Sequence, residues 1–132
     1  MSLTGKCLCE SITYEITGPA RDVINCHCSR CRRSTGHFMA ATSAGVDDVQ
    51  IHGDILVWYD ATDDVQYGFC GKCGSTLFWR TSRRPESISI AAGTLTPPTG
   101  LRTAAAIYTD FGSDYHHYDD AIPSYGEDRP GR

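Results

Sequence analysis

Seven cysteines dominate the chemistry open to this chain of 132 residues: Cys7, Cys9, Cys26, Cys28, Cys31, Cys70 and Cys73. An odd number cannot pair off completely within one chain. Cys7 and Cys9, and likewise Cys26 and Cys28, stand one residue apart, where a disulfide would be strained. Metal ligation is the better account, and zinc is bound by thiolates in tetrahedral sites. Structural zinc sites use four protein ligands, whereas reactive ones keep a corner for water or substrate. Seven thiolates divide naturally into four and three.

The spacing says which belong together. Cys70-Gly71-Lys72-Cys73-Gly74 reads as a zinc knuckle, with glycines that let backbone amides face the sulfurs. A knuckle needs a second pair of ligands, and Cys7-Leu8-Cys9 supplies one. The remaining three lie within Cys26-His27-Cys28-Ser29-Arg30-Cys31, a loop able to hold one ion by three sulfurs and leave the fourth corner open. A second division pairs Cys28 and Cys31 with Cys70 and Cys73 as a two-knuckle ribbon. It strands Cys7, Cys9 and Cys26, and ranks below the first. His27 sits between two ligands, so its side chain is expected to point away from the side that Cys26 and Cys28 share. His116-His117, in an acidic stretch, could trap a metal, but a solvated tail is the preferred reading.

Lys and Arg number 12 against 16 Asp and Glu, a formal charge of -4. An overall basic footprint for phosphate backbones is absent, which argues against a nucleic-acid partner. Arg30, Arg32 and Arg33 nevertheless make a local positive patch beside the middle cysteines. Such a patch beside an open metal suits an anionic thiol, whose carboxylates can meet arginine forks. The sequence offers no Ser-His-Asp arrangement and no phosphate-cradling glycine loop. No apolar run approaches the roughly 20 residues of a membrane span, and no secretory core precedes Cys7. These features predict a soluble, cytoplasmic protein that does not engage a membrane.

The elements that must position the cysteines are short. Residues 11–16, 22–25, 37–43, 55–59, 65–69, 76–80, 87–92 and 104–109 read as strands separated by turn residues. At most a turn or two of helix is expected over residues 28–34. Trp58, Phe69, Phe78 and Trp79 are assigned to the core. The whole chain, 1–132, reads as one mainly β domain with an irregular tail from about residue 110, frayed at Pro130-Gly131-Arg132.

Three stretches, in order, resemble the family of glutathione-dependent formaldehyde-activating enzymes, whose domain is also called the centromere-protein-V/GFA domain. They are Gly5-Lys6-Cys7-Leu8-Cys9-Glu10, then Cys26-His27-Cys28-Ser29-Arg30-Cys31-Arg32-Arg33-Ser34-Thr35-Gly36, then Phe69-Cys70-Gly71-Lys72-Cys73-Gly74-Ser75-Thr76-Leu77-Phe78. Asp119-Asp120-Ala121-Ile122-Pro123-Ser124-Tyr125 is similar to the family's closing signature. The resemblance implies an Mss4-like zinc-binding fold of short antiparallel strands with little helix. It implies two zincs per chain, a structural one on Cys7, Cys9, Cys70 and Cys73 and a second on Cys26, Cys28 and Cys31. It also implies carbon–sulfur lyase chemistry on a thiol such as glutathione and an aldehyde, with Arg32, Arg33, Ser34, Thr35 and Gly36 against the substrate. A non-catalytic thiol carrier and a zinc-ribbon interaction module are the competing readings. The chain departs from the family's usual residues at His37, Tyr67 and Ala106, departures that bear on the substrate and leave the cysteines intact.

Overall fold

Alternating apolar residues and frequent turn signals produce strands of four to seven residues. The structure, a computed structural model, describes residues 2–130. Its strands are β1 (Leu3–Lys6), β2 (Thr13–Ile16), β3 (Val23–Cys26), β4 (Met39–Gly45), β5 (Val49–His52), β6 (Leu56–Asp60), β7 (Val65–Cys70), β8 (Thr76–Thr81), β9 (Ser87–Ala91) and β10 (Thr103–Ile107). One α-helix, α1 (Ser29–Thr35), occurs among the described residues. The mainly β expectation holds. Gly131 and Arg132, part of the end expected to fray, lie outside the described residues. The chain forms two compact units, Met1–Arg21 with Thr42–Gly100, and Asp22–Ala41 with Leu101–Arg132.

The first unit holds a three-stranded antiparallel sheet, β1-β2-β5, and an antiparallel run of β6, β7, β8 and β9. Two of these strands, β1 and β5, are unexpected. Leu3-Thr4-Gly5-Lys6 carries a single large apolar residue, so no period marks it. It becomes a strand by pairing, with Gly5 opposite Tyr14. A Cβ on Gly5 would collide with the Tyr14 ring, which is why the strand needs glycine there. Residues 11 and 12 form a turn rather than extending β2.

Ile12, Tyr14 and Ile16 are buried together with Leu77, Phe78 and Ile90. The Tyr14 ring stands edge-on to Phe78 at 5.3 Å. Its hydroxyl hydrogen-bonds the Thr94 hydroxyl at 2.6 Å. Burial pushes that phenol up to about 12, against the lowering effect of the Thr94 bond. Of the four aromatic residues assigned to the core, Phe78 is fully buried, while Trp58, Phe69 and Trp79 are half-buried. Trp58 packs over Gly68 and carries the Arg80 guanidinium 3.6 Å above its ring, a cation–π contact.

In the second unit β3 pairs antiparallel with the start of β4 and parallel with β10. This is a parallel pair among strands that otherwise pair antiparallel in the registers given above. It has a consequence for the site, because Cys26 and Ile107 become register partners at the same end of two strands. Ile24, Ala105 and Ile107 form the core beneath them, with Cys26, Tyr108 and Tyr125 packed against it. Residues 123–127 are not loose. The Ala106 amide donates to the Pro123 carbonyl and the Tyr108 amide to the Glu127 carbonyl, each at 2.9 Å.

Removing the Phe78 ring deletes the edge-on partner of Tyr14 and leaves a cavity in a close-packed core. Phe78→Ala is expected to cost about 3–5 kcal/mol of folding free energy, measured by denaturant unfolding at fixed metal content.

Candidate metal centres

Four sulfurs converge in the first unit. Cys7, Cys9, Cys70 and Cys73 place their Sγ atoms within 4.8 Å of one another. Cys9 lies 3.7 Å from Cys7 and 3.7 Å from Cys70. Thiolates about 2.3 Å from a tetrahedral ion sit about 3.8 Å apart, so these two separations match what such an ion needs. Two turns build it. After β1, the Cys7 amide donates to the Ile12 carbonyl and the Glu10 amide returns to the Cys7 carbonyl. Glu10 takes a left-handed φ of 65° to make that return. After β7, the Gly74 amide returns to the Cys70 carbonyl at 2.8 Å with φ 79°.

Both turns aim N–H groups at sulfur. Lys72 and Cys73 amides reach Cys70 Sγ at 3.4 Å, and the Ile12 amide reaches Cys7 Sγ at 3.4 Å. The Ser75 hydroxyl links the two turns. It contacts Cys73 Sγ at 3.1 Å and accepts the Leu8 amide at 3.0 Å. The Ser75 hydroxyl and amide hold the Cys73 thiol down to about 5. Ser11 lowers Cys9 in the same manner. Ser11 and Ser75 were not singled out as site residues from the sequence, because a lone serine beside a knuckle carries no spacing signal.

Three sulfurs converge in the second unit. Cys26, Cys28 and Cys31 also lie within 4.8 Å of one another. Cys26 ends β3. Cys28 is the N-cap of α1, and its sulfur accepts the Cys31 amide at 3.3 Å. The helix closes at Gly36, whose φ of 89° is the left-handed cap and whose amide reaches the Arg32 carbonyl at 2.9 Å. Hydrogen bonds from the Cys26 and Cys31 thiols stabilise a thiolate at Cys28 and hold it down to about 2, with Arg30 adding attraction. The same bonds raise the donors: Cys26 to about 11, and Cys31, which is buried as well, further still. The coupling thus holds the Cys28 thiol low and its two neighbours high.

The 4 + 3 convergence is the first of the two divisions that spacing allows; the two-knuckle ribbon does not form. The neighbours divide by role. Arg30 and Arg33 are exposed, while the Arg32 Nε donates to the Phe111 carbonyl at 3.1 Å. Ser34 and Thr35 hydroxyls donate to the Cys31 carbonyl at 3.3 and 2.8 Å. They tie the end of α1 back to the backbone at Cys31. Tyr108, absent from the sequence-based site, adopts a left-handed φ of 56° just after β10. Its phenol is raised by burial and by nearby Asp128, Cys26 and Cys28. A non-glycine residue at positive φ is uncommon, and nothing in its local sequence announces it.

His27 points away from the sulfurs as expected and is not one of the converging ligands. It is 1% exposed. His116 is not part of a solvated tail: its ring stacks on His27 at 5.2 Å. His117, its neighbour, is exposed. Tyr67 and Ala106, two of the positions unusual for the resembled family, are both buried.

With the fold and both sulfur clusters in view, the family is settled. The chain belongs to the glutathione-dependent formaldehyde-activating enzyme family, whose sequence profile matches residues 2–111. Its mainly β architecture is the family's Mss4-like fold. A crystal structure of a Rhodobacter sphaeroides protein, a structural-genomics target, is similar in fold: TM-score 0.58 at 22% identity, over 76% of this chain and 99% of that one. No curated protein sequence matches the chain. Among the described residues no helix is long and apolar enough to cross a membrane.

The uneven thiols of the triad make metal loading depend on pH. Cys26 and Cys31, held high, must give up protons to ligate as thiolates. Loading a divalent ion should therefore release protons, and affinity should fall as pH is lowered. Competition against a chromophoric chelator between about pH 6 and pH 8 measures the slope. A slope of zero would mean that the triad does not take the ion as thiolates.

Proposed function

We propose that this chain is a zinc-dependent carbon–sulfur lyase-type enzyme that binds glutathione, or a thiol like it, at the three-cysteine site. It would form or cleave the thiol's aldehyde adduct, of the S-hydroxymethyl-glutathione type. The observation that carries this reading is the incomplete sulfur set: Cys26, Cys28 and Cys31 converge with three donors where the quartet converges with four. Family membership supports the substrate class.

In this reading Cys7, Cys9, Cys70 and Cys73 hold a structural zinc, and Cys26, Cys28 and Cys31 hold a second one. When bound there, zinc supplies a Lewis-acid corner for a fourth sulfur and lowers that thiol's pKa into the nucleophilic thiolate form. The chain's own residues do the rest. Arg30 and Arg33 receive the substrate's carboxylates from solvent as charge-assisted hydrogen-bond donors. Arg32 braces α1 against the backbone at Phe111. Ser34, Thr35 and Gly36 fix where the helix stops and so where the arginines stand.

The reaction balances simply. The sulfur lone pair forms a carbon–sulfur bond as the carbonyl π pair moves to oxygen, and the oxygen then takes a proton. Tyr108, kept protonated by its surroundings, stands near Cys26 and Cys28 with a hydroxyl proton of the right kind. The reverse sequence cleaves the adduct.

Turnover separates an enzyme from a carrier. With protein well below substrate, the rate of adduct exchange between glutathione and formaldehyde, followed by NMR, should rise in proportion to protein. A stoichiometric effect that does not turn over would leave a carrier. Cys28→Ser should abolish glutathione binding and keep the fold, whereas Cys73→Ser should unfold or aggregate, because a structural zinc contributes folding free energy. The opposite pattern would exchange the roles of the two clusters.

A further inference from the structure

His27 poses a problem that the thiolate chemistry does not solve. Its ring is buried, and both Nδ1 and Nε2 lack a hydrogen-bond partner. Leaving a buried polar atom unpaired is destabilising, and here one ring has two. The Nδ1 of His37 is buried and unpaired as well.

These two rings have a third beside them. The His116 ring lies 5.2 Å from His27 and 4.6 Å from His37, and His27 lies 6.3 Å from His37, all between centroids. Imidazole nitrogens about 2.0–2.1 Å from a tetrahedral ion place their ring centres about 5 Å apart, and the three separations bracket that spacing. In the present rotamers the nitrogens do not converge as the sulfurs do. A half-turn of each ring exchanges nitrogen for carbon at its corners without moving the ring.

Other aromatic rings flank the histidines. Phe38 packs 4.7 Å from His27 and 4.6 Å from His37. Tyr118 stands edge-on to His27 at 4.9 Å and to His116 at 4.8 Å. Packing of this kind holds the three imidazoles beside one another and orients potential ligands.

We propose that His27, His37 and His116 form a separate nitrogen-donor site for a borderline divalent cation such as Zn²⁺ or Co²⁺. Neutral imidazole is a preferred ligand of such ions. The site is distinct from both cysteine clusters, whose converging sulfurs include no histidine. His116 also lies beyond residues 2–111, the part of the chain that matches the family. An ion there would fasten the segment carrying His116 to the end of β3 and the start of β4.

Co²⁺ titration of the zinc-loaded protein tests this, followed by calorimetry and visible absorption. One added equivalent is expected, with ligand-field bands and no new thiolate-to-cobalt charge transfer. His37→Ala and His116→Ala should each weaken it at least tenfold, and His117→Ala should leave it unchanged. His27→Ala is avoided because removing a buried ring could unfold the unit; zinc content and thermal unfolding confirm that the other variants remain folded. No added equivalent tighter than about millimolar, undiminished binding in the His37→Ala/His116→Ala double variant, or growth of thiolate charge transfer would each overturn the proposal.

Discussion

Cys9 and Cys70 stand 61 residues apart in the chain and 3.7 Å apart at sulfur. That meeting is the constraint on which the first unit depends. Four soft, ionisable side chains drawn together cannot be an indifferent part of a core: as thiolates they repel, and as thiols they form weak hydrogen bonds. The structure answers with directed donors. Amides of Ile12, Lys72 and Cys73 face sulfur, and Ser75 bridges the turn after β7 to the Leu8 amide. The sheets on either side of the turns give these loops rigid ends, so the ligands are held by backbone rather than by flexible side chains.

The second unit solves a different problem with fewer ligands. Its three sulfurs come from one strand end and the first turn of one short helix. The three are not equivalent: Cys28, the N-cap of the helix, is the thiol held low, and Cys26 and Cys31 are pushed up beside it. The exposed Arg30 and Arg33 make the same place attractive to an anion in an otherwise acidic protein. Parallel pairing of β3 with β10 delivers Tyr108 to this region, with an uncommon left-handed backbone to turn it there.

Much of this was legible in the sequence, and the reasons are specific. The triad spans six residues, so its grouping is a matter of local spacing. The quartet follows once the triad is set aside, because Cys7-Leu8-Cys9 then has no other partner than the knuckle. Strands with clear alternation, such as β2 and β9, read directly. What escaped depends on long-range packing. β1 exists because Gly5 admits the Tyr14 ring, a fact of pairing and not of period. Ser75 matters through an amide 67 residues away. His116 looked solvated because its sequence neighbours are acidic and polar, yet it packs on His27. The bonds of the Ser34 and Thr35 hydroxyls to the Cys31 carbonyl depend on where the helix ends, which spacing alone does not give.

The central claim is that seven thiolates divide unequally between two ions and leave one corner for a substrate sulfur. X-ray absorption at the zinc edge tests it most directly. Seven sulfurs shared by two ions average about 3.5 per zinc, and the account predicts that value in the loaded protein, rising to about 4 when glutathione is added. An average that already stands at 4, or that does not move with glutathione, would contradict it.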